Sequence, residues 1–162
     1  MQNNRQPYSI RPALAEDCTE LTKLARLSKA HWGYPAEWLV RWEADLTISP
    51  ENLENVVAYV AQQDQIIIGF WCRQAVQSEQ VTPGWLFIHP AHMGRGVAKA
   101  LWQAVRQGLI ACHIDSFVLE ADPNALPFYF SLGAEKIAER PSELISGRSI
   151  PILRLKISDI PD

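Results

Sequence analysis

The segment His89–Lys99 has the residue types and spacing best suited to binding an anion in this chain. Gly94 and Gly96 lack a Cβ atom, so backbone amides can approach a ligand closely there. A helical repeat follows, and its first amides have no intrahelical partners. Those amides and the helix dipole favour a phosphate or pyrophosphate, to which Arg95 and Lys99 add positive charge. The alternative is a glycine-rich turn that only caps a helix.

Two familiar phosphate-binding motifs do not fit this segment. A Walker A loop needs four residues between its glycines and a following Lys-Ser/Thr pair, whereas one residue separates Gly94 from Gly96. A dinucleotide fingerprint needs Gly or Ala at the position that Lys99 occupies. The spacing therefore indicates an anion site of another class.

Histidines and a cysteine near this segment raise the question of a metal or a nucleophile. His89 and His92, joined by His113 or Cys112, would approach a zinc ligand set. Pro90 lies between the first two, in a loop, and no paired carboxylate accompanies them, so we predict no metal site. Cys112 as a nucleophile is supported only by its sequence neighbour His113, which says nothing about spatial approach.

Periodic apolar residues predict the elements that must position these groups. The strand-like runs are Tyr8–Arg11, Val56–Ala61, Ile66–Arg73, Trp85–Ile88, Phe117–Glu120, Ala134–Ala138 and Ile152–Ile157. The helical repeats run from Leu14 to about Gly33, over Ala36–Leu46, over Val97–Leu109 and over Asn124–Leu132. This order predicts one mixed α/β sheet covered by helices.

Length and composition indicate a globular protein. The 162 residues are 48% hydrophobic and 20% charged, which excludes a disordered tail protein and a coiled coil and predicts one domain over 1–162 with its core at about 8–157. The net charge of −3 includes no basic surplus, so no nucleic-acid partner is expected. No window approaches about 18 consecutive apolar residues, so no membrane span is expected. A polar start and three widely spaced cysteines predict a cytoplasmic protein with reduced, mostly buried thiols.

Two blocks of the sequence resemble the GNAT superfamily of acetyl-coenzyme A-dependent acetyltransferases. Met93–Ala98 is similar to the cofactor motif Q/R-x-x-G-x-G/A, with Met93 where the family has Gln or Arg. Asp122–Ala134, which contains Asn124, Phe128-Tyr129 and Leu132-Gly133, resembles the downstream N…FY…LG[FA] block. The order of elements also matches along nearly the whole chain. The resemblance implies a single-domain acyl-CoA N-acyltransferase fold with a mixed central sheet of about six to seven strands flanked by helices.

The resemblance also assigns coenzyme-binding roles. A strand supplies backbone groups to the pantetheine arm, a loop holds the pyrophosphate, and downstream residues touch the pantetheine region; the residues are Leu86, Phe87 and Ile88, then Met93, Gly94, Arg95, Gly96, Val97, Ala98 and Lys99, then Asn124 and Phe128. In the family this strand splays from the next one, and the thioester lies in the gap. Tyr129 would sit near the thioester sulfur.

The chemistry expected of such a site is direct attack of an amine on the thioester. An amine of pKa ~10.4 is mostly ammonium at pH 7, and freeing its lone pair costs about 4.6 kcal/mol, so a base or a water chain should assist. Many family members carry an acid on the strand before the loop, but the matching stretch Thr82–Trp85 has none. The remaining candidates are Glu37, Glu79, Glu120, His31 and His89. Tyr129 could donate to the departing thiolate; the alternative is a core tyrosine.

Four aromatic residues bear on the acceptor of the acetyl group. Trp32, Tyr34, Trp38 and Trp42 cluster between the first two helices and either pack the core or frame an acceptor pocket. We predict acetyl transfer from acetyl-CoA to a primary amine of a small molecule or peptide, by a monomer or homodimer. The alternatives are a catalytically silent GNAT-fold protein that binds coenzyme A and an unrelated α/β nucleotide-binding domain.

Overall fold

The computed structural model describes residues 7–157, which contain seven strands and four α-helices. The strands are Ser9–Pro12 (β1), Val56–Gln63 (β2), Ile66–Gln74 (β3), Gly84–Ile88 (β4), Ser116–Glu120 (β5), Glu135–Pro141 (β6) and Ser149–Lys156 (β7). The α-helices are Cys18–His31 (α1), Ala36–Arg41 (α2), Val97–Ala111 (α3) and Leu126–Ser131 (α4). The predicted α/β class and element order are confirmed.

The strands form two sheets instead of one continuous sheet. The first has the order β1-β2-β3-β4 and the second β5-β7-β6, and all pairings inside them are antiparallel. A single parallel bridge between Val81 and Val118 joins the sheets, with the Thr82 amide donating to the Val118 carbonyl at 3.0 Å. Beyond that bridge β4 and β5 diverge, so each leaves an unpaired edge facing the gap.

Arg73 on β3 lies beside the point where this pairing stops. In a continuing parallel ladder the Thr82 carbonyl would accept from the Glu120 amide. It accepts instead from Nη2 of Arg73 at 2.6 Å, and the same nitrogen also donates to the Thr82 hydroxyl at 2.6 Å. A side-chain donor therefore bonds this carbonyl at the point where the two strands separate.

Two hydrophobic cores lie on opposite faces of the first sheet. One contains the apolar stripe of α3, including Leu101 and Val105, together with Phe117 of β5 and Leu153 of β7. The other contains α1 residues and Phe70 of β3. Pleating of β3 sends alternate side chains to the two cores, which is the period-two pattern expected of a strand covered on both faces.

The start of α3 sits unusually close to β3. A Cβ atom added to Gly69 would lie 3.2 Å from Val97 and 3.4 Å from Leu101, so glycine permits this approach. The first turn of the helix is thereby held beside the end of β4, which is where an anion site at its N-terminus would have to lie.

Two sequence-based details differ in the folded chain. The second helix was expected over Ala36–Leu46 but ends at Arg41, because Trp42 and Leu46 turn into the core that contains Phe70. The helix expected over Asn124–Leu132 is divided into a 3-10 turn and α4. The bounds of the strands agree to within a few residues.

The cysteines and the membrane expectation can also be compared with the fold. Cys18 and Cys72 are buried and Cys112 is exposed, and all three are free thiols. No helix within residues 7–157 is long and apolar enough to cross a membrane.

Gly84 should be intolerant of a side chain, because a Cβ atom there would lie 2.3 Å from Nη1 of Arg73 and 2.7 Å from the Cys72 carbonyl oxygen. We expect Gly84→Val to lower the free energy of unfolding by about 3 kcal/mol or more, through overpacking against backbone. Gly147→Ala is the control: it has open space and only the strain of a φ of +79°, about 1–2 kcal/mol. Urea denaturation measures both, and equal losses would contradict this role for Gly84.

Candidate functional site

A cleft of about 380 Å³ opens along β4, where the two sheets diverge. Its walls are β4, the glycine loop, the start of α3, the end of α1 and the segment that leads into α4. It is lined by eleven of the twelve predicted coenzyme-binding residues, namely Leu86, Phe87, Ile88, Met93, Gly94, Gly96, Val97, Ala98, Lys99, Asn124 and Phe128. Arg95, the twelfth, is exposed and does not line the cleft.

The glycine loop presents backbone amides to one end of this cleft. Gly94 and Gly96 have φ values of +72° and +80°, in the left-handed region that favours glycine. The first intrahelical bond of α3 runs from the Ala100 amide to the Gly96 carbonyl, so the preceding amides of the helix are not used by it. The first turn contains Lys99 and no acidic residue. This end of the cleft is therefore suited to an anion.

A smaller cavity of about 170 Å³ continues from the cleft into the gap between β4 and β5. Leu86, Phe87 and Ala125 line both spaces, so a ligand running along β4 would pass from one to the other. Tyr129 lines the smaller cavity and not the larger cleft. The predicted site residues are thus brought together in two connected spaces.

The Tyr129 hydroxyl is held in its protonated form. The residue is 6% exposed, and among residues 7–157 its hydroxyl has no hydrogen-bond partner. Burial raises the pKa of Tyr129 to about 12, although the positive charge of Arg73 acts in the opposite direction. At neutral pH this group is a hydrogen-bond donor aimed at a cavity, not a base.

Arg73 is a site residue that sequence reasoning missed. It lines the smaller cavity, is 3% exposed, and burial lowers its pKa to about 10. Its guanidinium carbon lies 4.5 Å from the centre of the Phe117 ring. A signal was present in the sequence: Arg73 is the one charged residue in the apolar strand run Ile66–Arg73, where buried arginine is rare.

A polar cluster borders both spaces on the side of α1. Asp122 receives hydrogen bonds from Lys29 Nζ at 2.5 Å, from the Tyr34 hydroxyl at 2.8 Å and from the Asn124 amide at 2.9 Å. Arg148 approaches the same carboxylate at 3.5 Å. Burial acts to raise the pKa of Asp122, but Lys29 and these hydrogen bonds outweigh it and lower the pKa. Burial also lowers the pKa of Lys29, against the charge of Asp122.

The four aromatic residues of the α1–α2 segment separate into two groups. Tyr34, Trp38 and Trp42 pack with ring centres 5.0–5.8 Å apart, and Arg148 lies 4.8–5.8 Å from all three. A cation of the chain itself therefore lies against these three rings. Of the two alternatives, core packing and an acceptor pocket, this arrangement supports core packing. Trp32 lines the large cleft instead and is 43% exposed.

Only one of the five proposed bases lines either space. Glu120 borders the smaller cavity, where its carboxylate accepts from Arg140 at 2.5 and 2.7 Å. The other four line neither cavity: Glu37, Glu79, His31 and His89. The Nδ1 atom of His89 accepts from the Ala91 amide and so caps a 3-10 turn.

Metal ligands are not gathered in the part of the chain that the model describes. Within residues 7–157 no three His, Cys, Asp or Glu side chains are close enough to hold an ion. The rings of His89 and His92 lie edge to face, with centres 5.6 Å apart.

The ion pair of Asp122 should make stability depend on pH. Its folded-state pKa lies below the unfolded value of about 3.9, so its contribution is complete above that value and is lost as the pH falls through the folded-state pKa. We expect Asp122→Asn to cost about 1–3 kcal/mol at pH 7 and progressively less below pH 4. Urea denaturation from pH 7 to pH 3 measures this. The control is Asp64→Asn in the exposed β2–β3 turn, and a pH-independent loss in Asp122→Asn would contradict the assignment.

Many solved structures resemble this fold, including the three that follow. A GCN5-related N-acetyltransferase from Rhodopseudomonas palustris has a TM-score of 0.73 and 19% identity, covering 93% of this chain and 96% of that one. The ribosomal-protein-S18-alanine N-acetyltransferase from Escherichia coli has a TM-score of 0.70 and 20% identity, covering 96% and 97%. The yncA protein of Salmonella typhimurium, determined with its cofactor acetyl-CoA, has a TM-score of 0.67 and 18% identity, covering 97% and 99%.

The sequence was also compared with curated proteins and with protein-family models. No curated protein sequence matches the chain. The family model described as an acetyltransferase (GNAT) domain matches residues 43–143, which include the glycine loop, the parted strands and Tyr129. Since that match covers more than half of the chain, the protein belongs to the GNAT acetyltransferase family.

Proposed function

We propose that this protein transfers the acetyl group of acetyl-CoA to a primary amine of a small molecule or peptide, by direct attack and without a covalent enzyme intermediate. The observation that carries the proposal is the continuity of the cleft. An amide-lined anion site at one end leads along the free edge of β4 to a cavity that contains a protonated tyrosine and a carboxylate. The relative from Salmonella typhimurium, which contains acetyl-CoA, supports the choice of donor.

The coenzyme would bind mainly through backbone groups. Its pyrophosphate lies against the amides of Gly94–Lys99, where the helix N-terminus favours negative charge. Its pantetheine arm follows β4, because that strand pairs with β3 on one side only and leaves backbone donors and acceptors on the other. Asn124 and Phe128 close the opposite wall. Because backbone amides do most of this work, Met93 can replace the Gln or Arg of the family motif.

The amine would lose its proton inside the smaller cavity. Glu120 borders this space and is held by Arg140, so it accepts the proton directly or through water. The neutral nitrogen then attacks the thioester carbon. A β4 amide facing the gap stabilises the oxyanion. As the C–N bond forms and the C–S bond breaks, the nitrogen releases its second proton to water.

Tyr129 would stabilise the departing thiolate by hydrogen bonding. With a pKa of about 12, it lies above a simple thiol at ~8.5, and complete proton transfer would be uphill by roughly 5 kcal/mol. A hydrogen bond from the Tyr129 hydroxyl to the thiolate, without proton transfer, avoids this free-energy cost. The proton that finally resides on coenzyme A then comes from solvent or from the protonated base.

A silent coenzyme A-binding protein is the second candidate function. Met93 in the cofactor motif and the absence of an acid in Thr82–Trp85 favour it, while Tyr129 and Glu120 in one cavity oppose it. Turnover of acetyl-CoA with a broad panel of amines separates the two. We further propose a cytoplasmic protein, as a monomer or homodimer, in which residues 1–162 form one domain; the three free cysteines are consistent with a reducing compartment.

Gly96 should matter more for coenzyme affinity than Arg95 does. We expect Gly96→Val to weaken coenzyme A binding by more than tenfold, because a branched side chain is strained at a φ of +80° and stands where the ligand approaches. Arg95→Ala should weaken it less, since that side chain is exposed and screened. Calorimetry with each folded variant measures the two affinities. Unchanged binding by Gly96→Val would remove the loop from the coenzyme site.

Tyr129→Phe should separate catalysis from binding. We expect kcat to fall by about 10²–10⁴ with little change in acetyl-CoA affinity, since the lost hydrogen bond strengthens only as the thiolate forms. Tyr59→Phe on β2, outside both cavities, is the matched control. Steady-state turnover, coenzyme affinity and Tm are measured on both variants. Normal kcat in Tyr129→Phe would assign this residue to the core alone.

A further inference from the structure

Arg73 is a buried cation without a carboxylate partner among residues 7–157. Its hydrogen bonds go to the Thr82 carbonyl and hydroxyl and to the Val118 carbonyl at 3.3 Å, and its remaining neighbour is the Phe117 ring. Isolated buried charges are costly, and proteins retain them where something compensates them. Carbonyl dipoles and one aromatic face compensate only part of a full charge.

Arg73 lines the smaller cavity and has donors that no acceptor among the described residues engages. All of its hydrogen bonds within residues 7–157 use Nη2, so Nη1 has no partner there and Nε is buried without one. Nη1 occupies the space over Gly84 that a side chain would fill, at 2.3 Å from an ideal Cβ position. Gly84 and Arg73 both line the cavity. Nη1 of Arg73 can lie at this position because Gly84 has no side chain.

The other charges bordering this cavity are paired. Glu120 is engaged by Arg140, and Asp122 by Lys29. Within the part of the chain described, Arg73 is therefore the charge bordering this space that has no oppositely charged partner. A carboxylate is the natural complement of an arginine with free N–H groups, because its oxygens accept hydrogen bonds and carry the opposite charge.

We propose that the smaller cavity is a carboxylate subsite in which Nη1 of Arg73 binds a carboxylate of the substrate. This rests on the proposed function and names its substrate class. Two sources place a carboxylate there: an acyl group that ends in one, such as succinyl, or an acceptor amine that carries one, such as an amino acid. Leu86 lines this cavity, and the acyl end of a coenzyme bound along β4 would extend past Leu86 into it. The cavity volume of about 170 Å³ leaves room for an acyl group larger than acetyl.

Ligand pairs that differ in one group test this on the wild-type protein. Calorimetry compares succinyl-CoA with butyryl-CoA, in which a methyl replaces the carboxylate, and compares amino acids with their decarboxylated amines in the presence of coenzyme A. A preference of at least tenfold for succinyl-CoA identifies the acyl group as the source. A preference of that size among the amines identifies the acceptor.

Variants assign the preference to Arg73. Arg73→Met should abolish it, Arg73→Lys should retain part of it, and Arg154→Met, which removes a cation paired with Glu79 outside both cavities, should leave it intact. Affinity for unmodified coenzyme A should stay within a few fold in all three, which a loss of folding would not allow.

Each remaining outcome counts against a defined claim. If the wild-type protein binds both members of each ligand pair equally, the carboxylate subsite is wrong. If it still binds coenzyme A, the proposed function is unaffected. This comparison needs no variant, so it holds even if Arg73→Met does not fold. A preference that persists in folded Arg73→Met also overturns it. Failure of coenzyme A itself to bind overturns the proposed function and the subsite together.

Discussion

The buried guanidinium of Arg73 lies at the junction of the two sheets and connects them. Its Nη2 donates to the carbonyl and hydroxyl of Thr82, in the segment that leads into β4, and to the carbonyl of Val118 on β5. Past this junction β4 and β5 separate, and the smaller cavity opens between them. The core therefore contains a charged side chain at the position where its donors reach both sheets.

A second set of charges fixes the other wall of the cleft. Asp122 connects Lys29 of α1 with Tyr34 and Asn124, and Arg148 brings the β6–β7 loop to the same carboxylate. Two cations around one carboxylate leave the cluster with a surplus of positive charge, which the faces of Tyr34, Trp38 and Trp42 offset. These contacts connect α1, the segment that leads into α4 and the β6–β7 loop without a bound ligand.

Binding and chemistry are divided between backbone and side chains. The glycine loop and the free edge of β4 offer amides and carbonyls, whose positions depend on backbone conformation and not on side-chain identity. A motif with Met93 at its first position therefore still presents these backbone groups to the cleft. The smaller cavity, in contrast, is defined by the side chains of Tyr129, Glu120 and Arg73, so the proposed catalysis and substrate choice depend on them.

The sequence by itself determined the features that depend on neighbouring residues. The order of strands and helices follows from apolar periodicity, and the loop with Gly94 and Gly96 follows from the need for positive φ. The tertiary structure alone decided which distant groups meet: Lys29 with Asp122, Tyr34 with Arg148, and the direction of Arg95 away from the cleft. It also decided that the expected single sheet divides at Arg73. Apolar periodicity does not predict these contacts. The energy of a buried charge depends on partners far along the chain, whereas a helix or turn depends on residues a few positions away.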